Sequence, residues 1–256
     1  MRFIGIIPAR YASTRFPGKP LADLGGMTMI ERVYRQASKA LPMVWVATDD
    51  ERIREAVEAF GARVVMTSSS HRSGTDRCYE ALTLITEGMP KGKCPDVVIN
   101  IQGDEPFVDP RQICQLMVCF ENPETDLATL ARKFDPQAGF ESLADPNLVK
   151  LVMGENGNAL YFSRSVIPYV RGKNPDEWVN STTYYTHVGM YAYRVEALRR
   201  IVGLRPSPLE IAESLEQLRW LQNGMRISVA VTDCKTVGID TPADLEVARQ
   251  LLAGIR

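Results

Sequence analysis

The sequence predicts an α/β chain built on a doubly wound, mostly parallel sheet with an inserted antiparallel hairpin region. Three observations support this. Short apolar runs alternate with amphipathic stretches in a strand–helix–strand rhythm from residue 3 to residue 134. The runs at 3–7 and 96–101 are apolar at their centres, as strands covered on both faces are. The rhythm then breaks. Gly154-Glu155-Asn156-Gly157-Asn158 puts an Asn-Gly pair between two strand-like runs, a strong hairpin signal.

Phe3–Ile7 is the first expected strand, and the prolines at 8, 17 and 20 forbid a helix directly after it. Thr28 and Glu31 form a capping box ahead of Ile30, Val33, Tyr34 and Ala37 at helical spacing. Residues 43–48 read as a strand. Asp49 or Asp50 caps the next helix, which carries Ile53, Val57 and Phe60 and ends at Gly61. A strand at 63–67 opens into a polar loop, and a helix starts near Thr75. The strand at 96–101 ends in Gln102-Gly103-Asp104-Glu105-Pro106, followed by a helix at 110–120 and a strand at 127–134. The hairpin follows, with strands at 148–153 and 159–163. Residues 168–183 are polar, aromatic and irregular, which suits a functional or contact loop. A strand returns at 189–193. Ser207-Pro208-Leu209-Glu210 starts a helix expected to continue through Leu221 to Gly224. A strand at 227–231 precedes a last helix, capped by Thr241 with Pro242 at its first position.

The chain has 256 residues, 45% of them hydrophobic and 24% charged, with a net charge of −1. That length buries a substantial core, and no linker suggests separate modules, so one domain over 1–256 is expected. Near-neutral charge argues against a general nucleic-acid binder. The N-terminal apolar run is too short for a signal peptide, and no run approaches the ~20 residues of a membrane span. The five cysteines form no CxxC pair and read as small buried hydrophobes in a reducing cytosol. With two histidines, a His-rich metal site is excluded. A metal would sit on carboxylates, which favours Mg²⁺ or Mn²⁺ over zinc.

The chemistry gathers where strands end. Arg10, Arg15 and Lys19 share the loop after the first strand, at the edge where open α/β sheets bind ligands. Together they suit a polyphosphate; a solvated basic loop is the plainer alternative. Asp104 lies just past a buried strand on the same edge. A carboxylate beside phosphate-binding cations makes sense if it holds Mg²⁺; a simple turn is the other reading. Asp240 stands at another strand-to-helix junction, where Asp-Thr-Pro is also an ordinary helix lead-in.

Ile7-Pro8-Ala9-Arg10-Tyr11-Ala12-Ser13-Thr14-Arg15-Phe16-Pro17-Gly18-Lys19-Pro20-Leu21 is the longest of a series of motifs. His71–Arg77, Gln102–Pro106, Tyr161–Arg164, Ser207–Glu210 and Gly238–Pro242 follow in order. The series resembles the 3-deoxy-manno-octulosonate (KDO) cytidylyltransferases across essentially the whole chain. The resemblance implies transfer of CMP from CTP to the anomeric hydroxyl of KDO with Mg²⁺, releasing pyrophosphate, for lipopolysaccharide synthesis. It implies a cytoplasmic homodimer that binds neither nucleic acid nor membrane. It also implies roles: Arg10, Ser13 and Lys19 on the triphosphate, with Arg15 beside them, and Asp104 and Asp240 on the metal. Lys19, Asp104 and Asp240 form the catalytic set. Arg77 and Gln102 face the base or ribose. His187, Tyr191, Glu216 and Gln217 contact the sugar, and Arg164 its carboxylate. The sugar-binding and dimer-contact region is expected around 148–194. Residues 186–193 and 211–214 depart from the usual family pattern.

Two other classes fit the residues less well. A metal-dependent glycosyltransferase calls for an Asp-x-Asp motif, and none stands near Gly103-Asp104-Glu105. A non-catalytic nucleotide-binding module tolerates loss of Lys19 or of a metal carboxylate, and all three are present.

Overall fold

β1 (Phe3–Ala9) is buried along most of its length because strands flank it on both sides. The computed structural model describes residues 1–12, 15–71, 73–235 and 237–254. Within the single span expected over 1–256, two compact units are resolved: Met1–Cys114 with Lys235–Arg256, and Gln115–Cys234.

In the first unit the sheet order is β3 (Val64–Met66), β2 (Val44–Thr48), β1, β4 (Val97–Asn100), with every pairing parallel. The register places Ile6 beside both Trp45 and Asn100, so all four strands deliver their C-terminal ends to one edge. Three helices pack on these strands: α1 (Met29–Ala37), α2 (Glu51–Ala59) and α3 (Gly74–Thr86). Each is capped by its own sequence. Thr28 Oγ1 accepts from Glu31 N at 3.3 Å, Asp50 accepts from Arg52 N at 3.0 Å, and Ser73 accepts from Asp76 N at 3.1 Å. The chain passes to the second unit within α4 (Pro110–Val118) and comes back to form α10 (Pro242–Gly254). Leu24, Met29, Ile239, Leu245 and Ala248 make a buried cluster that fixes α10 against α1.

In the second unit β5 (Leu127–Lys133) pairs antiparallel with β8 (Tyr185–Arg194) and parallel with β9 (Ile227–Val231). The expected hairpin forms from β6 (Lys150–Met153) and β7 (Ala159–Ser163), with Gly157 at φ +75° in its turn. β8 begins four residues earlier than expected, because Tyr185–Val188 find partners on β5 and β6. Three helices lie outside the expected elements: α5 (Gly139–Ala144), α6 (Pro175–Trp178), which Asn174 and Glu177 cap, and α7 (Val195–Val202). α5 and α6 contribute Leu143 and Trp178 to a buried cluster with Val179 and Tyr184.

The long helix expected from Ser207 to Gly224 is two helices, α8 (Pro208–Glu213) and α9 (Glu216–Gln222). Ser214 interrupts them in the left-handed region at φ 52°. The cause is tertiary. Glu213 accepts from Ser163 Oγ at 2.7 Å and from Arg164 N at 2.8 Å, while the Arg164 guanidinium donates to the Glu213 carbonyl at 2.6 Å. These charge-assisted bonds outweigh the propensity of a continuous helix. No helix among the described residues is long and apolar enough to cross a membrane.

Candidate active site

The C-terminal ends of β1 and β4 enclose a recess of about 450 Å³. Arg10, Arg15 and Lys19 line it from the first loop, and Gln102, Gly103 and Asp104 from the turn after β4. Gly103 is required there. A Cβ at this position would stand 2.9 Å from the Pro8 carbonyl oxygen, so only glycine brings the turn this close to the end of β1.

Lys19 is the hub. Its Nζ donates to Asp104 Oδ2 at 2.9 Å and to Asp240 Oδ1 at 3.2 Å, and Asp240 Oδ2 pairs with Arg15 Nη2 at 3.1 Å. The Lys19 side chain is only 14% exposed, so its charge is screened less than that of a surface lysine. Backbone structure explains how two distant aspartates meet. Ile239 lies in the buried cluster under α10 and its N–H donates to the Asp104 carbonyl at 2.9 Å. The capping of α10 falls to other groups. Asp244 Oδ2 accepts from Asp240 N and Thr241 N at 3.0 and 2.8 Å, and Thr241 Oγ1 accepts from Asp244 N at 3.2 Å. The Asp240 carboxylate therefore faces the cations and takes no part in that cap.

The donor set suits Mg²⁺. Two carboxylates supply hard oxygen ligands within 3.2 Å of one ammonium, and no cage of three or more His, Cys, Asp or Glu exists among the described residues. Mg²⁺ is characteristically held by one or two carboxylates plus substrate phosphates and water, not by a full protein cage.

Two further residues of this unit need comment. Arg77, expected at the base or ribose, is completely buried. It donates to Thr67 Oγ1 at 2.6 Å and Asp49 Oδ2 at 2.8 Å. Its guanidinium ties the ends of β2 and β3 together. Glu105 escaped notice although it sits inside a quoted motif. Its Oε2 is buried without a partner, and burial, reinforced by Asp104, pushes its carboxyl up to about 7. Ser13, expected on the triphosphate, lies outside the described residues.

In the second unit His187 and Tyr191 lie four residues apart on β8, on either side of a register shift against β5, with ring centroids 5.2 Å apart. Trp220 of α9 meets Tyr191 edge-on at 4.9 Å and Tyr193 at 5.6 Å. His187 Nε2 bonds Thr129 Oγ1 at 3.0 Å, and burial pushes the imidazole down to about 4, so it is neutral at pH 7. The Tyr191 hydroxyl, Gln217 Nε2 and Trp220 Nε1 are buried without hydrogen-bond partners among the described residues. Three such atoms, on two rings in contact and on a residue of the same helix as Trp220, call for an explanation, and a polar ligand supplies one. Glu216 accepts from Arg219 Nη2 at 2.6 Å. The Arg164 guanidinium donates to the carbonyls of Glu213, Pro146 and Ser214 and braces the turn between α8 and α9. Thr129 and Trp220 were missed. Trp220 could have been found, three residues beyond Gln217 on the same helix face, whereas Thr129 carries no sequence signal.

A family model described as cytidylyltransferase matches residues 4–227. The chain is 58% identical over 254 residues to a 3-deoxy-manno-octulosonate cytidylyltransferase of Parabacteroides distasonis, covering 99% of each chain. It is 56% identical over 252 residues to the protein of that name from Bacteroides thetaiotaomicron, covering 98% of each. It is similar in structure to a CMP:2-keto-3-deoxy-manno-octonic acid synthetase complexed with CTP, with a TM-score of 0.88, 40% identity and full coverage of both chains. With strands, recess and charged hub arranged as described, the chain belongs to the 3-deoxy-manno-octulosonate cytidylyltransferase family.

Proposed function

We propose that this protein transfers CMP from CTP to the anomeric hydroxyl of KDO and releases pyrophosphate, activating the sugar for lipopolysaccharide synthesis. The observation that carries this reading is the convergence of Lys19 on Asp104 and Asp240 in a recess lined by Arg10 and Arg15. The hydroxyl oxygen bonds to the α-phosphorus as the bond from that phosphorus to its bridging oxygen breaks. Pyrophosphate leaves with the electron pair, and the hydroxyl proton passes to solvent. Such a transfer needs positioning and charge stabilisation more than a protein nucleophile.

Arg10, Arg15 and Lys19 bind the triphosphate and offset charge on the departing pyrophosphate. Asp104 and Asp240 would hold Mg²⁺, and the chemistry supplied by a bound ion would be neutralisation of phosphate charge and easier ionisation of the hydroxyl. Gln102, on the recess wall, contacts the nucleoside. Neutral His187, Tyr191, Gln217 and Glu216 read the sugar hydroxyls, and the three partnerless buried atoms gain hydrogen bonds when it binds. The protein works in the cytoplasm as a homodimer, with contacts drawn from 148–194, where Leu160 and Tyr169 are exposed.

Pyrophosphate release from CTP, ATP, GTP and TTP, each with and without KDO and Mg²⁺, tests the reading. Release is expected with CTP, KDO and Mg²⁺ together. Comparable turnover with a purine triphosphate, or release that ignores KDO, overturns it. Light scattering at micromolar concentration tests the dimer, and a monomer contradicts it.

A further inference from the structure

Arg52 stands at the start of α2, outside the recess, and no step of the reaction uses it. Its guanidinium carbon lies over the Tyr11 ring, 3.3 Å from the centroid. Asp50 fixes the orientation of that guanidinium. Nε donates to Oδ1 at 2.9 Å and Nη2 to Oδ2 at 2.7 Å, and the same carboxylate caps α2 through Arg52 N. A fork-on-carboxylate pair is planar and directional, so the cation over the ring is preorganised.

Tyr11 is gripped from the loop side as well. Its carbonyl accepts from Gly18 N at 2.9 Å. Gly18 sits at φ +72°, and a Cβ there would stand 3.2 Å from the Tyr11 ring, so bare backbone packs against the aromatic. Gly18 opens the short turn that carries Lys19, with Leu21 N donating to the Gly18 carbonyl at 2.9 Å. A continuous path of contacts thus runs from the α2 cap through Arg52, Tyr11 and Gly18 to Lys19. Of the loop's three cations, Arg15 and Lys19 are held by the carboxylates of Asp240 and Asp104.

We infer that Arg52 and Tyr11 form a latch that positions the basic loop for the outer phosphates of the nucleotide, with Arg52 acting through Tyr11 as a positioning residue. The inference rests on the proposed use of CTP. It goes beyond that reading in assigning a role to a residue on a neighbouring helix.

The test titrates CTP and CMP into the full-length protein by calorimetry, with Mg²⁺ present, for Tyr11→Leu, Arg52→Ala, the double variant and Tyr11→Phe. A cation–aromatic contact at an exposed site corresponds to roughly two- to fivefold in an equilibrium constant. Tyr11→Leu and Arg52→Ala are each expected to weaken CTP by about that factor. The double variant should be no worse than the poorer single one, because both remove the same contact. CMP, which lacks the outer phosphates, should bind as to the parent protein, and Tyr11→Phe should match the parent throughout. Unchanged CTP binding, equal weakening of CTP and CMP, or multiplying effects in the double variant overturns the latch. A parent protein that binds no CTP instead overturns the functional reading beneath it. The exposed position of Arg52 keeps Arg52→Ala informative even if Tyr11→Leu folds poorly.

Discussion

Asp240→Asn keeps the shape of the side chain and removes one negative charge from the hub. Its structural consequence is small. The carboxylate makes two ion pairs, with Lys19 at 3.2 Å and with the well-exposed Arg15 at 3.1 Å. Asp240 itself is 49% exposed, and pairs of this kind are worth about 0–1 kcal/mol. Lys19 keeps Asp104, and the α10 cap keeps Asp244 and Thr241. Stability should therefore fall by no more than ~1 kcal/mol, a melting shift of roughly 2–4 °C for a chain of this size.

Activity should respond differently. Removing one preorganised charge from a site where charge develops typically costs ~10²–10³ in kcat, or roughly 3–4 kcal/mol. The two effects differ about threefold in energy, enough to separate them. Turnover measured against Mg²⁺ concentration should show a low kcat and a raised requirement for the ion, beside a nearly normal melting curve. Asp104→Asn should behave likewise. An Asp240→Asn variant that melts early but turns over normally refutes the reasoning, because it makes the residue a structural one.

The other predictions follow from particular contacts. Gly103→Ala drives a Cβ into the Pro8 carbonyl and should destabilise the chain by ~1–3 kcal/mol, with weaker CTP binding, read by melting and calorimetry. Tyr191→Phe removes a buried hydroxyl without a partner, so the sugar-free protein should become no less stable, while the KM for KDO rises and that for CTP holds. His187 has a folded pKa near 4, below its ordinary 6.5, so the unfolded chain takes up its proton first. Its contribution, up to about 3 kcal/mol, is present above pH 6.5 and fades as pH falls towards 4; denaturation of the parent against His187→Gln across that window checks it. Glu105 has the opposite sign. Its raised pKa of about 7 means stability lost as pH climbs from 4.5 through 7, so in metal-free buffer Glu105→Gln should gain on the parent at pH 8.

The features legible in the sequence are those decided locally. The caps at Thr28, Ser207 and Thr241 stand where they were read, because a hydroxyl and an N–H three residues apart settle a helix start without help from the rest of the chain. The parallel strands were legible because burial on both faces leaves a continuous apolar run. What failed depended on distant partners. Nothing within 207–224 reveals that Ser163 and Arg164 will capture Glu213 and break the helix. Nor does the polar, motif-like stretch around Arg77 reveal that Asp49 and Thr67 take its guanidinium below the surface. A cation beside a phosphate and a cation in a buried ion pair look the same in a sequence. Only the location of the counter-charge separates them.

The hub raises a last question, how precisely Asp240 is set by the core beneath it. Ile239 is wholly buried with Leu24, Met29, Leu245 and Ala248, and its N–H holds the Asp104 carbonyl. The spacing of the two carboxylates is thus inherited from apolar packing. Leu245→Ala would leave a cavity under this segment and cost ~2–5 kcal/mol. Partial collapse shifts the backbone at 239–240, and a displacement on the order of 1 Å at a reacting centre can cost about 10²-fold. Leu143→Ala is the matched control: an equally buried leucine in the cluster with Trp178 and Tyr184 of the other unit, with a similar expected loss of stability. At a temperature where both variants remain folded, Leu245→Ala should need more Mg²⁺ for half-maximal rate and turn over more slowly, while Leu143→Ala keeps the parent's Mg²⁺ dependence. Equal Mg²⁺ profiles in the two variants would show that the carboxylates hold their places independently of the core, and that the Ile239–Asp104 bond does not set the site.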